Sequence, residues 1–101
     1  MRKPRRGEGR SRGRAEPGRL VVERVQTGVR MEKRLLKVLR ALADYHDLTL
    51  GDLLEGIVLH AFDGKAPFGP ESRRRIEELK RIYGLDLDSR ASHRLVEIDE
   101  H

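Results

Sequence analysis

Apolar and polar positions alternate strictly in one part of this sequence, residues 24–31. One side of the alternation carries Val25, Thr27, Val29 and Met31, and the other carries Arg24, Gln26, Gly28 and Arg30. Alternation with a period of two, rich in β-branched residues, is typical of a half-buried strand. The pattern therefore predicts a single strand here, with its polar side facing outward.

The hydrophobic spacing becomes helical directly after this stretch. Apolar residues recur every three or four positions across residues 32–46, which predicts a first amphipathic helix. The same spacing continues through residues 50–62, with Thr49 as a predicted N-cap. Gly64 is suited to a left-handed C-terminal cap, so a second helix is predicted to end beside it.

Beyond Gly64 the pattern is weaker. Pro70 is suited to the first turn of a helix, and a third helix is predicted from there to Tyr83, ended by Gly84. Asp88 is a predicted cap for a last, weak helix. That helix would carry Ala91, Leu95, Val96 and Ile98.

Composition argues against a self-sufficient core. The chain has 101 residues, of which 37% are hydrophobic and 39% charged, and small domains bury little apolar surface. The absence of cysteine excludes disulfides and thiolate zinc sites and fits a reducing compartment. A lone strand also leaves its backbone groups without partners, and no second strand is evident. A homodimer, in which two copies of the strand pair antiparallel, is predicted.

The net charge of +5 is concentrated at the N-terminus. Residues 1–19 contain eight lysines and arginines against two glutamates. Residues 1–18 carry almost nothing apolar, so a disordered basic arm that approaches a polyanion is predicted. Its candidate phosphate-binding residues are Arg2, Lys3, Arg5, Arg6, Arg10, Arg12 and Arg14.

The order of these elements resembles the ribbon-helix-helix family of Arc/MetJ-type DNA-binding proteins. The matching pieces are RVQTGVRM, EKRLLKVLRALADYH, DLT and LGDLLEGIVLHAF, which together span residues 24–62. The resemblance implies a mainly α fold with one β-strand, built as a β-α-α intertwined dimer with a C-terminal helical extension. The expected domains are a basic arm at 1–18, a ribbon-helix-helix domain at 19–64 and the extension at 65–101.

The resemblance also implies which residues contact DNA. In this family the paired strands enter the major groove, so the implied base readers are Gln26, Gly28 and Arg30, with Arg24 at the end of the ribbon. Gly28 departs from the pattern because it has no side chain to read with. Arg pairs well with guanine and Gln with adenine.

A phosphate site is implied at the start of the second helix. In the family that helix N-terminus anchors a phosphate, which here corresponds to Thr49, Leu50 and Gly51. The carboxylate of Asp52 opposes a phosphate at this position.

The expected function is that of a dimeric, sequence-specific DNA-binding protein and transcription repressor. Three alternatives stay open: an antitoxin-like module whose residues 65–101 bind a partner protein, a nonspecific binder driven by the arm, and a helix-turn-helix reader. The last is disfavoured because the second helix contains no Arg, Lys, Asn or Gln.

Other classes of function lack their sequence signals. The four histidines, His46, His60, His93 and His101, have no metal-ligand spacing, and no phosphate loop or catalytic arrangement is recognisable. We therefore expect no enzyme activity, metal or cofactor. No apolar run reaches the length of a membrane span, and a cytoplasmic, nucleoid-associated location is expected.

Overall fold

A computed structural model describes residues 18–98 of the chain. The chain divides between Arg30 and Met31 into two units. The described part of the first unit, residues 18–30, has no helix or strand, and we call it the pre-helical segment. The second unit contains all the helices of the described chain.

The first helix, α1, spans Lys33–Tyr45. Glu32, where the sequence predicted the helix to begin, is instead its N-cap, and the Glu32 side chain accepts a hydrogen bond from the Leu35 N–H at 2.8 Å. This satisfies one of the backbone donors that every helix start leaves without an intrahelical acceptor. Val38, Leu42 and Ala43 form the buried side of α1.

The second helix, α2, spans Leu50–Phe62 and begins as the sequence predicted. The Oγ1 atom of Thr49 accepts a hydrogen bond from the Asp52 N–H at 3.0 Å. The turn from α1 passes through Asp47, whose φ of 57° is tolerated because aspartate visits the left-handed region more readily than most residues. The left-handed residue after α2 is Gly64, with a φ of 70°.

The third helix, α3, spans Pro70–Tyr83, and its predicted bounds are confirmed. Pro70 lies in the first turn, where its missing N–H costs nothing. Gly84 ends the helix in the left-handed conformation, with φ 68° and ψ 29°.

The core of the helical unit lies around α1, which packs against both α2 and α3. Leu42 is the most buried side chain, at 1% exposed. The other core residues are Val38, Ala43, Leu53, Leu79 and Leu85, with Leu39, Ala41, Ile57, Phe68, Ile76 and Leu87 packed around them.

Polar contacts join α1 to α3 at both ends. The hydroxyl of Tyr45 donates to Glu71 at 2.8 Å, and the guanidinium of Arg75 lies 4.4 Å from the centre of the Tyr45 ring. At the other end, Arg34 donates to the Gly84 carbonyl oxygen at 3.0 Å and pairs with Asp86 at 3.1 Å. These contacts fix the direction of α3 along α1.

The predicted β-strand is wrong for this structure, and with it the β-α-α ribbon-helix-helix fold class. Residues 18–98 contain three α-helices and a short 3₁₀ turn but no strand. Val25, Thr27 and Val29, expected on a half-buried side, are all exposed, and only Met31 is half-buried. The physical reason is that a strand requires a hydrogen-bonded neighbour, and no other described segment is a strand.

The predicted last helix is also wrong, although its cap is correct. The Asp88 side chain accepts a hydrogen bond from the Arg90 N–H, but the helix that follows is a single 3₁₀ turn, Ser89–Ala91. His93 then has a φ of 66°, which interrupts any helix. Leu95, Val96 and Ile98 are left exposed.

Candidate nucleic-acid interface

The pre-helical segment carries all four predicted base readers. Arg24, Gln26, Gly28 and Arg30 are exposed, as is every other residue from 18 to 30. Gly28 has no atom within 4 Å of the point where a Cβ would stand. Its missing side chain is therefore not required by any close approach within the described chain.

The segment is unusual in its apolar exposure as well as in its charge. Leu20 is 89% exposed and Val25 81%, and Val21, Val22 and Val29 are also open to solvent. Isolated exposed apolar residues are common, but here five lie within ten positions. Basic and apolar side chains thus occur together on the same short segment.

The predicted phosphate site lies at the start of α2. Thr49 is exposed and engages its hydroxyl as the cap, Leu50 is half-buried, and Gly51 is exposed. The N–H groups of Leu50 and Gly51 belong to the first helical turn, which has no intrahelical acceptors and lies at the positive end of the helix dipole. Asp52 also lies in this turn, so a carboxylate competes with any anion there.

The basic arm falls outside the described residues. Its predicted phosphate-binding residues, Arg2, Lys3, Arg5, Arg6, Arg10, Arg12 and Arg14, all precede residue 18.

The start of α1 is stabilised by ionised groups. Glu32 bonds through its carboxylate to the Leu35 N–H at 2.8 Å and to the Arg34 guanidinium at 3.0 Å. The backbone hydrogen bond from Leu35 is the main reason that the pKa of Glu32 is lowered, and Arg34 adds to it. Glu32 in turn raises the pKa of Arg34, so both groups stay charged at neutral pH.

A second open surface lies on α2, and sequence periodicity did not single it out. Val58, Leu59 and Phe62 are exposed, Leu59 by 64% and Phe62 by 82%. We call these three residues the α2 apolar face. The sequence shows that α2 is apolar on nearly all sides, which is the signal of a helix covered by more than one neighbour. Among the described helices, however, α2 packs only against α1.

Comparison with known proteins gives no assignment. The chain matches no protein-family model, no curated protein and no solved structure. The geometry of the chain itself is therefore the basis for a functional proposal.

Two further findings concern metal binding and membrane spanning in the described region. No group of three or more His, Asp or Glu side chains within residues 18–98 is arranged to hold a metal ion. None of the helices in that range combines the length and the apolar character needed to cross a membrane.

Proposed function

We propose that this chain is a sequence-specific DNA-binding protein that acts as a homodimer, and that the pre-helical segment contacts the bases. The observation that carries the proposal is the exposure of Arg24, Gln26 and Arg30 at alternate positions on a segment that forms neither helix nor strand. Such a protein would act on the nucleoid as a transcription repressor.

The side chains fit base recognition. Arginine donates two parallel hydrogen bonds to guanine, and glutamine pairs with adenine through one donor and one acceptor. Each such pair contributes roughly 1–3 kcal/mol of discrimination against the wrong base. Two arginines and one glutamine on one segment are enough to prefer one short sequence.

Phosphate contacts would supply the rest of the affinity. The first turn of α2, at Thr49, Leu50 and Gly51, offers backbone N–H donors, and the arm before residue 18 offers seven of the predicted cations. These contacts carry no sequence information. They determine how strongly binding depends on salt.

The α2 apolar face favours a second copy of the chain as its partner. The face is contiguous on one helix, whose only charged residues are Asp52, Glu55 and the titratable His60. The core of the helical unit rests on six buried residues, which is small for an independent domain. A homodimer buries this face and enlarges that core.

Selection from random duplex DNA tests the proposal. The full chain is incubated with a pool of random duplexes, and the bound fraction is amplified and sequenced over several rounds. We expect a short motif with two-fold symmetry, because a symmetric dimer presents the same segment twice. If DNA is bound but no sequence is enriched after selection, the chain does not bind DNA with sequence specificity, and that part of the proposal is wrong.

A partner-binding role is the second candidate, as in an antitoxin-like protein. The observation that favours it is the exposed apolar end of the described chain, where Leu95, Val96 and Ile98 lie beyond the core. Replacing these three residues with serine should release any co-purifying protein and leave DNA affinity unchanged. A loss of DNA affinity in this variant would assign the segment to the DNA-binding function instead.

A further inference from the structure

Three cations form a stripe along the solvent side of α1. Lys33, Lys37 and Arg40 are exposed and fall within about 60° of one another around the helix axis, at 3.6 residues per turn. The same geometry places them opposite Leu42, the most buried residue of the core. We call these residues the α1 basic stripe.

The stripe is not neutralised by its surroundings. Within residues 18–98, no ion pair or side-chain hydrogen bond involves Lys33, Lys37 or Arg40. Other cations of the helical unit are paired, namely Arg34, Arg75, Lys80 and Arg90. Asp44 is the one carboxylate of α1, and it lies one turn beyond Arg40.

The exposed arginines of α3 provide a contrast. Arg73, Arg74 and Arg81 are exposed, but Glu77 and Glu78 lie on the same helix, four residues after Arg73 and Arg74. Side chains four residues apart are neighbours on a helix surface. The α3 surface therefore mixes charges of both signs along its length. On α1 the one carboxylate on the side of the stripe is Asp44, four residues after Arg40, and the described contacts include no ion pair between these two.

The length of the stripe allows contact with a DNA backbone at more than one point. Lys33 and Arg40 are seven positions apart, a rise of about 10 Å at 1.5 Å per residue. Neighbouring phosphates of one B-DNA strand are separated by about 3.4 Å along the axis, and by more than that in space because the strand winds around the axis. The stripe can therefore contact more than one phosphate at a time.

We infer that the α1 basic stripe binds the phosphate backbone of duplex DNA. This inference rests on the proposed function and names a further surface for it. The stripe adds affinity without sequence preference, since phosphates are the same at every position.

Salt dependence tests the inference in the full chain. The variant combines Lys33→Gln, Lys37→Gln and Arg40→Gln, and glutamine keeps a helix propensity close to that of the residues it replaces. Affinity for a duplex of random sequence is measured by fluorescence anisotropy from about 50 to about 200 mM salt, a range over which affinity that depends on phosphate contacts falls steeply. We expect the log–log slope to become shallower by about 2.7 per bound chain, at about 0.9 per lost contact.

A matched control removes the same charge from another helix. The combination of Arg73→Gln, Arg74→Gln and Arg81→Gln also lowers the net charge by three but should leave the slope near that of the unmodified chain. Circular dichroism confirms that both variants are folded. Equal slopes for the two variants would overturn the inference. Failure of the unmodified chain to bind the duplex would also overturn it.

Failure of the proposed function and failure of the inference give different results in these measurements. An unmodified chain that binds all duplexes equally lacks sequence specificity, yet a slope that depends on the α1 basic stripe would still support the inference. An unmodified chain that prefers one sequence, together with an unchanged slope in the stripe variant, supports the function and refutes the inference.

Discussion

Thr49 stabilises α2 through a single side-chain hydrogen bond. Its Oγ1 atom accepts from the Asp52 N–H at 3.0 Å, and its backbone oxygen accepts from the Leu53 N–H at 3.0 Å. Thr49→Ala removes only the first contact and should lower the free energy of unfolding by about 1 kcal/mol. Urea denaturation measures this change. Thr49→Ser keeps the hydroxyl and should retain most of the stability, so an equal loss in both variants would argue against the cap.

Glu32 makes the stability of the helical unit depend on pH. Its folded-state pKa is lowered by the Leu35 N–H and by Arg34, so the unfolded chain binds the proton more readily. The resulting stabilisation is fully present above the pKa of Glu32 in the unfolded chain, about 4.5. It is lost as the pH falls through the lower pKa of Glu32 in the folded chain.

Comparison with Glu32→Gln isolates this effect. We expect the unmodified chain to be more stable than the variant at pH 6, and the difference to shrink between pH 5 and pH 3 (roughly the titration range of a carboxyl group). Denaturation midpoints at each pH measure the difference. A difference that stays constant over this range would show that the charge of Glu32 is not responsible.

The contrast between Thr49 and Arg34 shows which individual roles a sequence reveals. The Thr49 cap was predicted because the cap residue and the backbone N–H that donates to it lie only three residues apart. The contacts of Arg34 with Gly84 and Asp86 join positions about fifty residues apart. No local pattern indicates such a pair, because it depends on how α3 packs along α1.

Helix α3 is an integral part of the helical core, since Leu79 is 8% exposed and packs with α1 residues. Leu79→Ala should lower the free energy of unfolding by about 2–4 kcal/mol, through lost transfer energy and a residual cavity. Ile82, on the same helix, is 68% exposed, and Ile82→Ala should change stability by less than about 0.5 kcal/mol. Thermal denaturation of both variants tests this. Similar losses of stability in Leu79→Ala and Ile82→Ala would mean that α3 does not pack against α1 through Leu79.

The helices were predictable because their signals are local. Pro70 and Gly84 mark both ends of α3, and leucine spacing marks α1 and α2. The strand prediction failed because a strand depends on a neighbour that the alternation of Val25 and Val29 cannot supply. The last predicted helix failed for a different reason: a few apolar residues after Asp88 have no core to pack against.

The α2 apolar face determines the assembly we propose. Leu59→Glu places a charge in a surface that a second copy would bury, and the desolvation cost of an unpaired carboxylate should dissociate the dimer. Ile82→Glu adds the same charge to an exposed position on α3 and should leave assembly unchanged. Sedimentation equilibrium measures the mass of each variant. A monomeric unmodified chain would exclude the homodimer.

The candidate interface was predicted only in part. Sequence alternation identified Arg24, Gln26 and Arg30 as outward-facing, and all three are exposed, although the strand expected to present them is not formed. The α2 apolar face was missed because a helix that is apolar on nearly every side has the same sequence pattern as a core helix. Only the packing of the other helices shows which side of α2 is left open.

The most direct measurement is the ratio of dissociation constants for a selected duplex and its scrambled counterpart, determined for the unmodified chain and for Arg30→Ala. We expect a ratio of at least about 10³ for the unmodified chain and a ratio at least about 5-fold smaller for Arg30→Ala, since each base contact contributes roughly 1–3 kcal/mol. Arg81→Ala, which removes the same type of side chain from α3, should keep the full ratio. If Arg30→Ala weakened binding to both duplexes equally, or not at all, the pre-helical segment would not be the element that reads DNA.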